Sequence, residues 1–181
     1  MRLFVACMLP DEVKQRLHAM KQTLCSLGPG VSWVKPENLH ITLKFLGETR
    51  PEMRVQVCEA LRRCTNRPSF GVRLSGVGGF PRAQAARVVW AGLDSGSVEL
   101  SRLAACVDSE LTRLGFPRDG KPFSPHITLA RAKRTYADVL LAAESQCEFG
   151  YFSVREFCLM KSELRPSGAV YTVLERFPLN G

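Results

Sequence analysis

His40-Ile41-Thr42-Leu43 and His126-Ile127-Thr128-Leu129 are the same four residues in the same order. The chain holds three histidines, His18, His40 and His126, and two of them open this phrase. With chance agreement of roughly 6% per position, one histidine pair of three sharing its next three residues arises about one time in a thousand. The phrase alternates polar and apolar residues, which is the period of a β-strand. Ile41 and Leu43 then point into a core, while His40 and Thr42 share the opposite face, about 6–7 Å apart. Two such strands side by side present two imidazoles flanking one site, with two hydroxyls between them.

Imidazole is the side chain that titrates closest to neutrality. A pair can act as general base and general acid in one displacement, and threonine hydroxyls donate to the non-bridging oxygens of a phosphate. A lone histidine on a half-buried strand is most often structural. His18, beside the apolar stripe of a helix and with no motif around it, is read as structural or solvated. Duplication separates His40 and His126 from it.

Outward from the phrase, Arg2 to Met8 is a short apolar run that reads as a strand. Pro10-Asp11-Glu12 opens a helix with acidic residues in its first turn. Val13, Leu17, Met20 and Leu24 recur at helical spacing until Gly28-Pro29-Gly30 stops it. Val31 to Val34 and Leu39 to Leu46 read as strands joined by Lys35-Pro36-Glu37-Asn38, and parity puts Lys44 on the face of His40 and Thr42. Pro51 starts an amphipathic helix to about Cys64, with Met53, Val57, Ala60 and Leu61 inward. Phe70, Val72 and Leu74 mark a strand, and Gly76 to Pro81 reads as a flexible glycine-rich connection. Gly76-x-Gly78-Gly79 lacks both the Gly-Lys-Ser/Thr ending of a phosphate loop and the Rossmann spacing. Arg87 to Leu93 is a strand whose Val88-Val89-Trp90 run implies burial on both faces. A helix capped by Ser95 or Ser97 runs to about Leu114, where Gly115 stops it. The loop Pro117 to Pro125 enters the second phrase, on a strand His126 to Arg131, and a basic patch of Arg131, Lys133 and Arg134 follows. Ala137 to Gln146 reads as a short helix. Phe149 to Val154, Glu156 to Glu163 and Val170 to Phe177 read as strands, with a turn at Pro166-Ser167-Gly168. Strands and helices mixed in this way fit an α+β protein with antiparallel sheet and helices on its outer faces.

At 181 residues the chain is expected to form one domain, 1–181, or two tightly joined lobes. Its 45% hydrophobic and 23% charged content suits a globular chain with a buried core. No run of 18 apolar residues marks a membrane span, and no signal-peptide pattern opens the chain, so a cytoplasmic protein with no membrane partner is expected. The net charge of +8 favours an anionic partner such as nucleic acid or a nucleotide. The seven cysteines include no Cys-x-x-Cys pair, so they read as reduced, mostly buried thiols and not as a zinc site.

The duplicated His-x-Thr resembles the two signature motifs of the 2H phosphoesterase superfamily. Met1-Arg2-Leu3-Phe4-Val5-Ala6, Lys44-Phe45-Leu46-Gly47-Glu48 and Phe123-Ser124-Pro125-His126-Ile127-Thr128-Leu129-Ala130-Arg131 carry the likeness further. Through most of its length the chain resembles the RNA 2′,3′-cyclic phosphodiesterases, whose bacterial and archaeal members were first called 2′-5′ RNA ligases. The resemblance implies two pseudo-symmetric lobes with a central cleft. It implies hydrolysis of RNA or nucleotide 2′,3′-cyclic phosphate ends to a 2′-phosphate, with His40 as acid and His126 as base. Thr42 and Thr128 would bind the phosphoryl oxygens, and the partner is RNA with a cyclic phosphate end or a small nucleotide. A monomer is expected. Alternatives are a phosphodiesterase on a small cyclic nucleotide such as an ADP-ribose cyclic phosphate, reversible 2′-5′ RNA ligation, or a non-catalytic RNA-binding domain.

The family often carries an arginine at the position of Arg131, and a guanidinium binds phosphate. Strict alternation puts Arg131 with Ile127 and Leu129, away from the histidine, so the strand must end or bulge for it to serve. Phe45, Trp33 and Phe123 are the candidates to stack on a base. No metal or other cofactor is expected. Two-metal hydrolases need carboxylate clusters, and neither phrase contains Asp or Glu. Glu37, Glu48 and Asp119 lie nearby, but none recurs at a matching position in the other copy.

Overall fold

The computed structural model describes residues 1–23, 31–82, 85–136, 147–166 and 168–180. Their elements are β1 (Arg2–Met8), α1 (Asp11–Thr23), β2 (Val31–Trp33), a 3₁₀ turn (Pro36–Asn38), β3 (His40–Glu48), α2 (Met53–Arg62), β4 (Phe70–Phe80), β5 (Ala86–Ser95), α3 (Ser97–Thr112), β6 (Ile127–Tyr136), β7 (Glu148–Val154), β8 (Glu156–Arg165) and β9 (Gly168–Pro178). The helix expected over Ala137 to Gln146 lies outside the described residues, as do Leu24, Cys25 and Gly28-Pro29-Gly30.

The strands form one curled, antiparallel sheet in the order β7-β4-β5-β6-β3-β1-β8-β9, with β2 added beside β6. The order divides at the β3–β6 junction. One lobe carries β3, β1, β8 and β9, and the other carries β6, β5, β4 and β7. In each, a helix links the two strands nearest the junction: β1 to β3 through α1, and β5 to β6 through α3. The expected α+β architecture of two pseudo-symmetric lobes is therefore what the chain forms.

Residue parity explains where the core sits. Leu3, Val5 and Cys7 of β1 join Ile41, Leu43, Ile127 and Leu129 in one core beneath the helices. Val13 and Leu17 of α1, Val57 and Leu61 of α2, and Leu103, Val107 and Leu111 of α3 close it from outside. Each such side chain contributes roughly 1.5–3 kcal/mol by leaving water. The alternate β1 residues Phe4 and Ala6 face the other way and pack with Cys158 and Met160 in a smaller cluster under the concave face. Burial on both faces makes β1 a central strand, and it leaves His40 and Thr42 on the concave side.

The stretch Gly76 to Phe80 is not a connection but the second half of β4. A bulge at Ser75–Gly76 shifts its register against β5, and Gly76 takes φ +73°, which suits glycine. Gly78 pairs with Trp90, and a Cβ there would lie 2.2 Å from the indole, so the missing side chain is the seat of that ring. Val88 and Trp90 are half-buried while Val89 is buried, so β5 has two unequal faces instead of the expected burial on both. Gly96 at φ +84° precedes α3, and no side chain caps it, so neither Ser95 nor Ser97 plays that part. Of the described cysteines, Cys7, Cys58, Cys64 and Cys158 are buried, and Cys106 and Cys147 are half-buried. No helix among the described residues is long and apolar enough to cross a membrane.

Candidate active site

β3 and β6 meet through the pair Ile41 and Ile127, the same position of the two phrases. Antiparallel pairing of equivalent residues puts a local twofold axis between them. That register sets His40 across from Thr128 and Thr42 across from His126. The imidazoles thus lie on one diagonal and the hydroxyls on the other, so the hydroxyls do not lie between the imidazoles as side-by-side strands suggest. All four line one cleft of about 430 Å³, together with Arg131, Phe45, Phe4, Tyr171 and Asn38.

Both imidazoles are held in the same way. His40 Nδ1 lies 2.7 Å from the Asn38 carbonyl and His126 Nδ1 lies 2.8 Å from the Ser124 carbonyl, each two residues upstream. A carbonyl only accepts, so each ring carries its proton on Nδ1, and Nε2 is left for chemistry. His40 Nε2 sits 3.0 Å from Thr42 Oγ1. With neutral His40 the threonine donates to Nε2, and with charged His40 the direction reverses.

Aromatic rings frame each histidine. Phe4 and Tyr171 stand 5.0 and 5.3 Å from the His40 ring. Phe80 and Trp90 stand 5.0 and 6.4 Å from the His126 ring. Burial in this setting lowers the His40 pKa below the ordinary histidine value. The Asn38 hydrogen bond opposes that, and the positive charges of His126 and Arg131 add to it. His40 is therefore largely neutral in the free protein at pH 7.

The positions after each phrase depart from strict alternation through matching bulges. Thr42 pairs with Ala6 and Lys44 with Val5, so Leu43 is extra. Thr128 pairs with Trp90 and Ala130 with Val89, so Leu129 is extra. The second bulge returns Arg131 to the cleft, as its candidacy required. The first turns Lys44 inward, 2% exposed, and brings Phe45 to the cleft lip, 61% exposed. Lys44 does not share the face of His40 and Thr42, because one inserted residue flips every later side chain. Trp33 and Phe123 instead pack against the main core. His18 is exposed on α1. The side chains of Lys133 and Arg134 fall outside the described residues.

Comparison with known proteins fits this geometry. The family model described as LigT-like phosphoesterase matches twice, over residues 8–90 and 93–171, with one histidine phrase in each match. The chain belongs to the LigT-like phosphoesterases. Among curated LigT-like relatives, an RNA 2′,3′-cyclic phosphodiesterase of Archaeoglobus fulgidus is 41% identical over 98% of this chain and 99% of its own. One of Thermus thermophilus is 40% identical over 100% and 91%. A solved Thermus thermophilus structure superposes with a TM-score of 0.86 at 36% identity, covering 100% of this chain and 99% of that one. Escherichia coli LigT in complex with 3′-AMP superposes with a TM-score of 0.82 at 30% identity, covering 99% and 98%. What the sequence of this LigT-like phosphoesterase does not announce is its aromatic frame. Phe4, Phe80, Trp90 and Tyr171 come from four strands, β1, β4, β5 and β9, and strand order brings them to the histidines.

Proposed function

We propose that this chain hydrolyses the 2′,3′-cyclic phosphate at the end of an RNA or a nucleotide, by a two-histidine mechanism that needs no metal. The observation that carries the reading is the diagonal pair of imidazoles, each fixed as the Nδ1–H tautomer by an upstream carbonyl, in a cleft with Thr42, Thr128 and Arg131. His126 takes a proton from water through Nε2. The water attacks phosphorus in line, and protonated His40 gives its proton to the departing 3′-oxygen, leaving a 2′-phosphate. The acid and base roles and the choice of leaving oxygen follow the family resemblance. The hydroxyls and the guanidinium stabilise the charge that builds on the phosphoryl oxygens.

Because His40 is largely neutral in the free protein, an acid role requires it to take up a proton with the substrate. The phosphate anion offsets the Arg131 charge and favours that uptake. With Nε2 protonated and turned to the 3′-oxygen, Thr42 no longer donates to the ring, and its O–H is free to donate to a phosphoryl oxygen. No carboxylate is among the described residues lining the cleft, so its donors suit a phosphate better than a cation. The cleft volume is that of a small-molecule site and fits recognition of the terminal nucleotide.

The relatives' names and the complex of E. coli LigT with 3′-AMP support the same substrate class. The test is a panel of cyclic-phosphate-ended RNA and free 2′,3′-cyclic nucleotides, with analysis of the product ends. Conversion to 2′-phosphate ends is expected. Binding without turnover of any member would overturn the reading in favour of a non-catalytic RNA-binding domain.

A further inference from the structure

Lys44 follows the first phrase directly, yet its side chain is 1% exposed and points away from the cleft. A buried ammonium is costly unless every donor is met. Its Nζ lies 2.5 Å from Asp108 Oδ1 on α3, 2.9 Å from the Pro117 carbonyl and 3.6 Å from Asp119 Oδ2. Burial pushes the Asp108 carboxyl up, but the hydrogen bond and charge of Lys44 outweigh this and hold it below the usual carboxylate range. Two of the three contacts fall on the segment 117–125, whose Ser124 carbonyl orients His126.

The two carbonyl-bearing segments are secured differently. The first is a 3₁₀ turn closed by its own bonds, Asn38 N to the Lys35 carbonyl and Leu39 N to the Pro36 carbonyl. The Asn38 amide also ties it to the Ala169 carbonyl at 2.7 Å. Among the described residues, no backbone–backbone hydrogen bond holds 117–125. Its anchors are Phe123 against the core, the Asp119 N–H to Asp108, and Lys44. At the matching position of the second phrase stands Ala130, so the tie runs one way only.

We propose that Lys44 is a positioning residue for His126: the strand that carries the first histidine fixes, through Lys44, the segment that orients the second. This rests on the reading of His126 as a proton-transfer group. Lys44→Met should lower kcat about 10- to 100-fold with little change in KM. In long-range ¹⁵N–¹H spectra at alkaline pH, wild-type His126 should be the Nδ1–H tautomer, and Lys44→Met should show a mixture at His126 while His40 is unchanged. The double variant Lys44→Met/Asp108→Asn removes the carboxylate left without its cation and keeps an amide oxygen for the Asp119 N–H. It serves if the single variant fails to fold, and it separates the roles, since a merely structural function would be rescued by it. The same loss of kcat and the same tautomer mixture are expected in the double variant. A folded variant with His126 wholly Nδ1–H and wild-type kcat would overturn the proposal. The spectra need no substrate, so they decide this point even if cyclic phosphates prove not to be turned over.

Discussion

Arg131→Gln removes a cation that has two effects in the cleft, and the two can be read separately. As a phosphate ligand, the guanidinium makes a charge-assisted hydrogen bond worth about 1.5–3 kcal/mol. At about 1.4 kcal/mol per tenfold, its loss should lower kcat/KM roughly 10- to 100-fold. As a neighbouring charge, Arg131 helps burial and His126 to hold the His40 pKa below its ordinary value. Removing it moves that pKa up. The limb of the kcat/KM profile that His40 sets should therefore move to higher pH. The assay is initial rate on a 2′,3′-cyclic nucleotide from pH 4.5 to 9, with apparent pKa values assigned to the coupled pair. Arg131→Lys keeps the charge, so its limbs should stay in place. A Gln variant with a wild-type rate and unmoved limbs would refute the placement of Arg131 in the site.

Three further outcomes are expected. Turnover should survive extended treatment with a strong chelator and gain nothing from added divalent ions. Stoichiometric bound metal, with activity lost on its removal and restored on its return, would contradict this. Phe45→Ala should raise KM about 5- to 100-fold with kcat little changed if Phe45 stacks on the base, because such stacking is worth about 1–3 kcal/mol; an unchanged KM would exclude that role. Gly78→Ala puts a Cβ inside the Trp90 ring, so it should cost about 1–3 kcal/mol of stability, read by denaturant unfolding, and lower kcat by disturbing the frame around His126. An unaltered midpoint would argue against the close packing of Gly78 and Trp90.

The repeated phrase made much of the site legible. Ile41 and Ile127 point into the core as alternation requires, and His40, Thr42, His126 and Thr128 share the cleft. Alternation failed one residue later, in both copies, for the same reason. Leu43 and Leu129 are each the extra residue of a bulge, and a bulge leaves no sign in the period that precedes it. Parity therefore puts Lys44 on the wrong face, while Arg131 reaches the cleft by the irregularity its role needs. The glycines of β4 misled because glycine normally marks a turn. Gly78 is there because Trp90, a strand away, needs the space. Pairings of this kind depend on which strands become neighbours, and that is decided by the whole sheet.

The central claim is that the two histidines of the repeated phrase act as one catalytic pair. Steady-state turnover of a 2′,3′-cyclic nucleotide by His40→Ala, His126→Ala and the double variant tests it most directly, with circular dichroism to establish that each is folded. Each single substitution should lower kcat roughly 10²- to 10⁴-fold or more, and the double should be little worse than the poorer single, because the two rings act on one displacement. Near-wild-type turnover by either folded single variant would contradict the claim.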